Sequence, residues 1–245
     1  MGKIVVIGGG ELKDLETLVF DRRICELTGK KHPKALFIPT ASGEPEGYVA
    51  TFNNVYGKKL GCKTDVLCLI KEKPSNKEIK EKILGSDLIY VGGGNTLKMM
   101  NLWRKSGVDN CLRQAYRNGI VLSGLSAGGI CWFEYGYSDS MSSYNPLSWK
   151  YIKVRGLGLI PGLHCPHASR PEKRDQFAEF IRRHSEVGIA IANHCAIEFI
   201  DGKYRVSSVK RNANAYVLHK CGKRVLIDEL EKKKTFTPVS ALYKK

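Results

Sequence analysis

The sequence predicts an α/β protein: a mostly parallel sheet with helices on both faces, in three layers, with a small antiparallel extension at the C-terminal end. Three observations predict it. Short apolar runs alternate with segments of helical periodicity through the first half of the chain. The runs are apolar throughout, as strands covered on both faces are. Glycine-rich turns close three of them, at Gly8-Gly9-Gly10, at Gly92-Gly93-Gly94 and around Ser126. Parallel sheets bind their ligands at such strand ends.

Taken in order, Ile4 to Ile7 is the first strand, ended by glycines, and Leu12 to Leu27 carries apolar residues at helical spacing. Ala35 to Ile38 is a second strand closed by Pro39, and Tyr48 to Leu60 can be helical. Thr64 to Ile70 reads as a strand, and Asn76 to Leu84 as a helix behind an N-cap at Ser75. Asp87 to Val91 is the next strand. Helical patterns then run to Arg117, and Ile120 to Leu122 is the strand before the Ser126 turn. Residues 136–150 are polar and rich in turn formers, an excursion above the sheet. A helix over Pro171 to His184 follows. Short strands come next, at Gly188 to Ile191, Ala196 to Ile200, Tyr204 to Val206, Ala215 to Leu218 and Arg224 to Ile227, with a hairpin turn at Asp201-Gly202. The chain reads as one domain, 1–245, whose residues 231–245 form a mobile basic tail.

Composition narrows the function. Hydrophobic residues at 42% and charged residues at 26% describe a folded, soluble chain. No apolar stretch is long enough to span a bilayer, and the start reads as a strand, not a signal peptide. Eight cysteines, none in a Cys-x-x-Cys pair, fit reduced thiols in the cytoplasm rather than disulfides or zinc. The net charge is +16. The lysines are scattered and no nucleic-acid motif accompanies them, so the excess reads as a solvated surface. No metal or cofactor is expected.

Gly124-Leu125-Ser126-Ala127-Gly128 matches a nucleophile elbow, a sharp strand-to-helix turn that lifts a hydroxyl clear of the sheet. A strand precedes it and a helix-compatible segment, Gly129 to Phe133, follows. Serine needs a base. Of six histidines, His32, His184 and His219 sit in unsuitable contexts, which leaves His164, His167 and His194. His167, in a loop after an apolar strand, is the preferred base. The amide of Ala127 and a donor from the Gly92-Gly93-Gly94-Asn95 turn would serve a tetrahedral oxyanion.

These residues together resemble the aspartyl dipeptidase (dipeptidase E) family and its relative cyanophycinase. The resemblance covers roughly residues 1–210. It rests on Val91 to Thr96, the Gly124 elbow, Cys131-Trp132-Phe133-Glu134 with Ser138-Asp139-Ser140, Gly156 to Gly162, and Ala196 to Tyr204. It implies a class I glutamine amidotransferase-like, flavodoxin-like three-layer fold with Ser126 as nucleophile and His167 as base. It further implies an oxyanion hole from Gly93, Gly94 and Ala127. The family's glutamate aligns with Asn193, so Asn193 orients His167, or Glu198 or Asp139 supplies the charge. The family's substrates, dipeptides with amino-terminal aspartate and an aspartate-backbone polymer, imply a carboxylate holder. Arg170 is the candidate, with Arg174 as a second and Asn95 as a further substrate contact. The expected partner is a short peptide, with no membrane, no nucleic acid and a homodimer left open. Two other readings remain: an amidotransferase-like amide hydrolase, which a serine elbow disfavours, and a non-catalytic binder of anions or partners.

Overall fold

The computed structural model describes residues 2–244; Met1 and Lys245 lie outside them. The first half alternates as expected: β1 (Lys3–Ile7), α1 (Leu18–Glu26), β2 (Lys34–Ile38), α2 (Glu46–Phe52), β3 (Lys63–Val66), α3 (Asn76–Leu84), β4 (Leu88–Val91), α4 (Thr96–Ser106), α5 (Val108–Arg117) and β5 (Val121–Leu125). Strands β1, β5, β4, β2 and β3 are parallel and adjacent in that order. Their side chains alternate between two apolar clusters. Ile4, Val6, Leu36, Ile38, Ile89 and Val91 enter one. Val5, Ile7, Ala35, Phe37, Leu88 and Tyr90 enter the other. Successive strand residues point to opposite faces, so a sheet covered on both sides needs apolar residues at every position.

Local chemistry sets the helix limits. Ser75 accepts the amide of Glu78, and the Glu78 carboxylate accepts the amide of Ser75 at 2.7 Å, a reciprocal capping box. α1 starts later than the periodicity predicts. Leu15 has φ +60°, and the residues before Leu18 form turns. α2 passes into a π-helical stretch, Asn53–Lys59, where one continuous helix is predicted.

α6 (Ala127–Ile130) follows the Ser126 turn, and then come β6 (Phe133–Ser138), β7 (Ile152–Arg155), β8 (Ile160–Cys165), α7 (Pro171–Arg182), β9 (Gly188–Ile191), β10 (Cys195–Ile200), β11 (Lys203–Ser208), β12 (Ala215–Cys221), β13 (Arg224–Leu230) and β14 (Thr237–Pro238). The antiparallel part is larger than the sequence suggests. β10, β11 and β14 extend the first sheet beyond β1, whereas β13, β12, β9, β8, β6 and β7 form a second, six-stranded sheet. The expected excursion over 136–150 begins inside β6, because Gly136, Tyr137 and Ser138 pair with β7.

The tail reading is corrected. Thr237 and Pro238 pair with β11, Leu242 is buried, and the Tyr243 hydroxyl donates to the Pro161 carbonyl at 2.9 Å. Burial of Leu242 contributes roughly 2 kcal/mol toward holding this end, beside the strand pairing and the Tyr243 hydrogen bond.

Candidate active site

Ser126 sits between β5 and α6 with φ 56° and ψ −115°, a conformation that non-glycine residues rarely adopt. Its amide donates to the Ile7 carbonyl at 3.2 Å, and its carbonyl accepts the amides of Gly129 and Ile130. The flanking glycines are steric requirements. A β-carbon at Gly124 would lie 2.2 Å from the Gly128 carbonyl oxygen, and one at Gly128 would lie 2.1 Å from that of Val91. The pattern Gly-x-Ser-x-Gly is thus the composition that this backbone crossing tolerates.

His167 and Asn193 arrive on loops after the parallel pair β8 and β9. His167 Nε2 is 2.8 Å from Ser126 Oγ, and its Nδ1 is 2.7 Å from Asn193 Oδ1. An amide oxygen only accepts, so Nδ1 carries the hydrogen and Nε2 turns a lone pair toward the serine hydroxyl. The backbone N–H of Asn193 donates to Ser169 Oγ at 3.0 Å.

The end of β1 organises this arrangement. Consecutive carbonyls of Ile7, Gly8 and Gly9 accept the amides of Ser126, His167 and His194 at 3.2, 3.0 and 2.9 Å. A β-carbon on Gly9 would stand 2.1 Å from Asn193 Oδ1 and 2.5 Å from His167 Nδ1. Sequence reasoning placed Gly8-Gly9-Gly10 at a ligand-binding strand end without giving Gly9 this part. The signal was a glycine run on the strand neighbouring the elbow. Ser169 was missed as well, and nothing local distinguishes it.

The other candidates are placed as follows. Gly93 borders Ser126, a β-carbon there lying 3.4 Å from the serine Cβ, and Ala127 is the buried first residue of α6. Gly94 continues the turn toward Ala41. Asn95 caps α4: its Oδ1 accepts the Lys98 amide, and its Nδ2 donates to the Ser140 carbonyl and to Ser143 Oγ. Its polar atoms are therefore engaged within the protein, at the wall of a cavity that it lines. Arg170 is exposed at the N-cap of α7. Arg174 donates to the carbonyls of Ala168 and Ser169 and lies over the Tyr216 ring, which gives it a structural task.

Neither alternative acid touches His167. Glu198 is buried and accepts from Arg23 Nε at 3.0 Å and from Arg205 Nη2 at 2.7 Å. Asp139 is exposed and lines a cavity beside Gly94. His164 is fully buried under α6, with Nδ1 2.9 Å from the Ile189 carbonyl, and burial pushes its pKa down to about 4. It stays neutral at physiological pH. Among the described residues no cluster of three or more His, Cys, Asp or Glu stands in a metal-binding arrangement, and no helix is long and apolar enough to cross a membrane.

Comparison with known proteins places the chain among peptidases. The chain is 34% identical over 220 residues to the uncharacterized peptidase YgaJ of Bacillus subtilis, covering 88% of this chain and 91% of that protein. It is 26% identical over 230 residues to a cyanophycinase of Geminocystis herdmanii, covering 88% and 83%. Among solved structures, a peptidase from an acI-B1 actinobacterium superposes with a TM-score of 0.75 at 19% identity, covering 97% of both chains. A putative peptidase E from Listeria monocytogenes superposes with a TM-score of 0.65 at 22% identity, covering 86% of this chain and 100% of that one. The sequence profile of peptidase family S51 matches residues 4–207, and with its relatives and fold in accord the chain belongs to that family, as a serine-type peptidase.

Proposed function

We propose that the protein hydrolyses short peptides through an acyl-enzyme on Ser126, with His167 as general base and Asn193 as the residue that orients it. The observation that carries this reading is the hydrogen-bonded line Ser126 Oγ, His167 Nε2, His167 Nδ1, Asn193 Oδ1. His167 Nε2 takes the hydroxyl proton as Oγ attacks the scissile carbonyl carbon. The oxyanion meets the amide of Ala127 and the Gly93–Gly94 turn. The imidazolium then gives its proton to the departing amine, and water repeats the sequence to release the acyl group. Asn193 holds the tautomer without adding negative charge, so the imidazolium is supported less than beside a carboxylate.

The preferred substrates are dipeptides with amino-terminal aspartate, and Arg170, whose exposed guanidinium stands three residues beyond His167, is the selecting cation. The enzyme works in the cytoplasm; eight free thiols suit a reducing compartment. Ser126→Ala abolishes hydrolysis and phosphonate labelling. Retained hydrolysis in that variant would end the proposal.

A further inference from the structure

A cavity of about 570 Å³ borders Gly94, the residue after the one that faces Ser126. Lys98, Asp139, Thr40 and Ser142 are among its lining residues. Most hydroxyls around it already have partners. Ser143 accepts from Asn95, Ser140 accepts the Leu97 amide, Thr40 accepts from Trp103, and Ser42 donates to the Pro39 carbonyl. The charged groups do not. The Lys98 ammonium makes no ion pair or side-chain hydrogen bond among the described residues and lies 4.8 Å from the centre of the Tyr144 ring. Among the described residues the Asp139 carboxylate has no ion-pair partner either. The cavity thus holds a cation steadied over an aromatic face and lacking a counter-ion, beside the turn that borders the reactive hydroxyl.

We infer that this cavity receives a carboxylate of the peptide substrate, with Lys98 as its counter-ion. The inference rests on reading Ser126 as the hydrolytic centre. Lys98 is exposed, so a carboxylate at the cavity gains a solvent-screened attraction to its ammonium. The Tyr144 ring keeps the ammonium at the wall through its negative face. Asp139 lines the same recess and repels any carboxylate there, so binding depends on Lys98 outweighing it. An acidic dipeptide carries two carboxylates, on its side chain and at its terminus; Arg170 is the candidate for one and Lys98 for the other.

The test is calorimetric binding of Asp-Leu, Asp-Leu amide and Asn-Leu to the Ser126→Ala protein, alone and combined with Lys98→Met or Lys98→Arg. Asp-Leu is expected to bind about tenfold more tightly than one of its two analogues. Lys98→Met brings that ratio close to one, and Lys98→Arg preserves it. Collapse of the ratio against the amide assigns the terminal carboxylate; collapse against Asn-Leu assigns the side chain. No binding, or ratios that survive Lys98→Met, overturns the inference. Hydrolysis by the Ser126 protein is scored separately. Binding that depends on residue 98 with no hydrolysis sinks the peptidase mechanism and keeps the cavity. Hydrolysis with ratios indifferent to residue 98 does the reverse.

Discussion

A β-carbon on Gly9 would overlap Oδ1 of Asn193, 2.1 Å away, so the hydrogen bond between His167 and Asn193 occupies the space of a missing methyl group. Gly9→Ala is therefore expected to displace one or both side chains while β1 stays paired. Because misplacement by about 1 Å costs on the order of 10²-fold, kcat for a dipeptide falls by roughly that factor. Circular dichroism keeps its wild-type form. Unchanged kcat would show that the loop absorbs the methyl group without moving the imidazole.

Asn193 separates orientation from charge. Asn193→Ala removes the acceptor for His167 Nδ1 and lowers kcat by roughly 10²-fold. Asn193→Asp keeps the acceptor and adds a charge that favours imidazolium, so its kcat stays well above that of the alanine variant. Its pH–rate profile moves its lower limb to higher pH, since His167 then holds its proton more tightly. Equal rates for alanine and aspartate would remove residue 193 from the proton path.

Glu198 is expected to matter for stability alone. Glu198→Gln leaves Arg23 and Arg205 without their shared carboxylate, costing on the order of 3 kcal/mol in denaturant unfolding. The kcat of the folded fraction stays within about twofold, since no reacting group is touched. A selective collapse of kcat with unchanged stability would return Glu198 to the catalytic constellation.

His164 predicts a slope of stability with pH. Its folded pKa of about 4 lies below the ordinary histidine value of 6.5, so between those values the unfolded chain binds the additional proton. The contribution is complete above the unfolded pKa and declines as pH falls from 6.5 toward about 4. Over that span it amounts to about 3 kcal/mol at most. His164→Gln flattens this part of the unfolding free-energy profile, measured in urea at fixed ionic strength. A wild-type slope retained in the variant would show that other groups set it.

Legibility followed the range of the physics. The elbow was readable because Gly124 is forced by the Gly128 carbonyl four residues on, although Gly128 itself is forced by the distant Val91 carbonyl, and α3 was readable because its capping box spans three residues. The parallel strands were readable because burial on both faces leaves them wholly apolar. β6 was not, since Glu134 and Tyr135 interrupt its apolar pattern and its partners lie in β7 and β8. The partners of Glu198 were equally hidden, being 175 residues away at Arg23 as well as near at hand at Arg205. Asn193 was legible only through resemblance; its hydrogen bond joins loops 26 residues apart. The anchoring of the C-terminal end depends on Leu242 and Tyr243, two residues in a stretch that otherwise reads as solvent-facing.

The carbonyls at the end of β1 also fix when competence arises during folding. Ser126, His167 and His194 come from distant stretches of chain, yet all three hang from one short peptide segment. Contacts so widely separated in sequence form more slowly than local ones. A partly assembled chain in which β5 has docked while β10 and the loops after β8 and β9 have not would possess the bent serine but no base beside it. On the proposed mechanism, hydrolysis is expected only once the late segments have met the first strand.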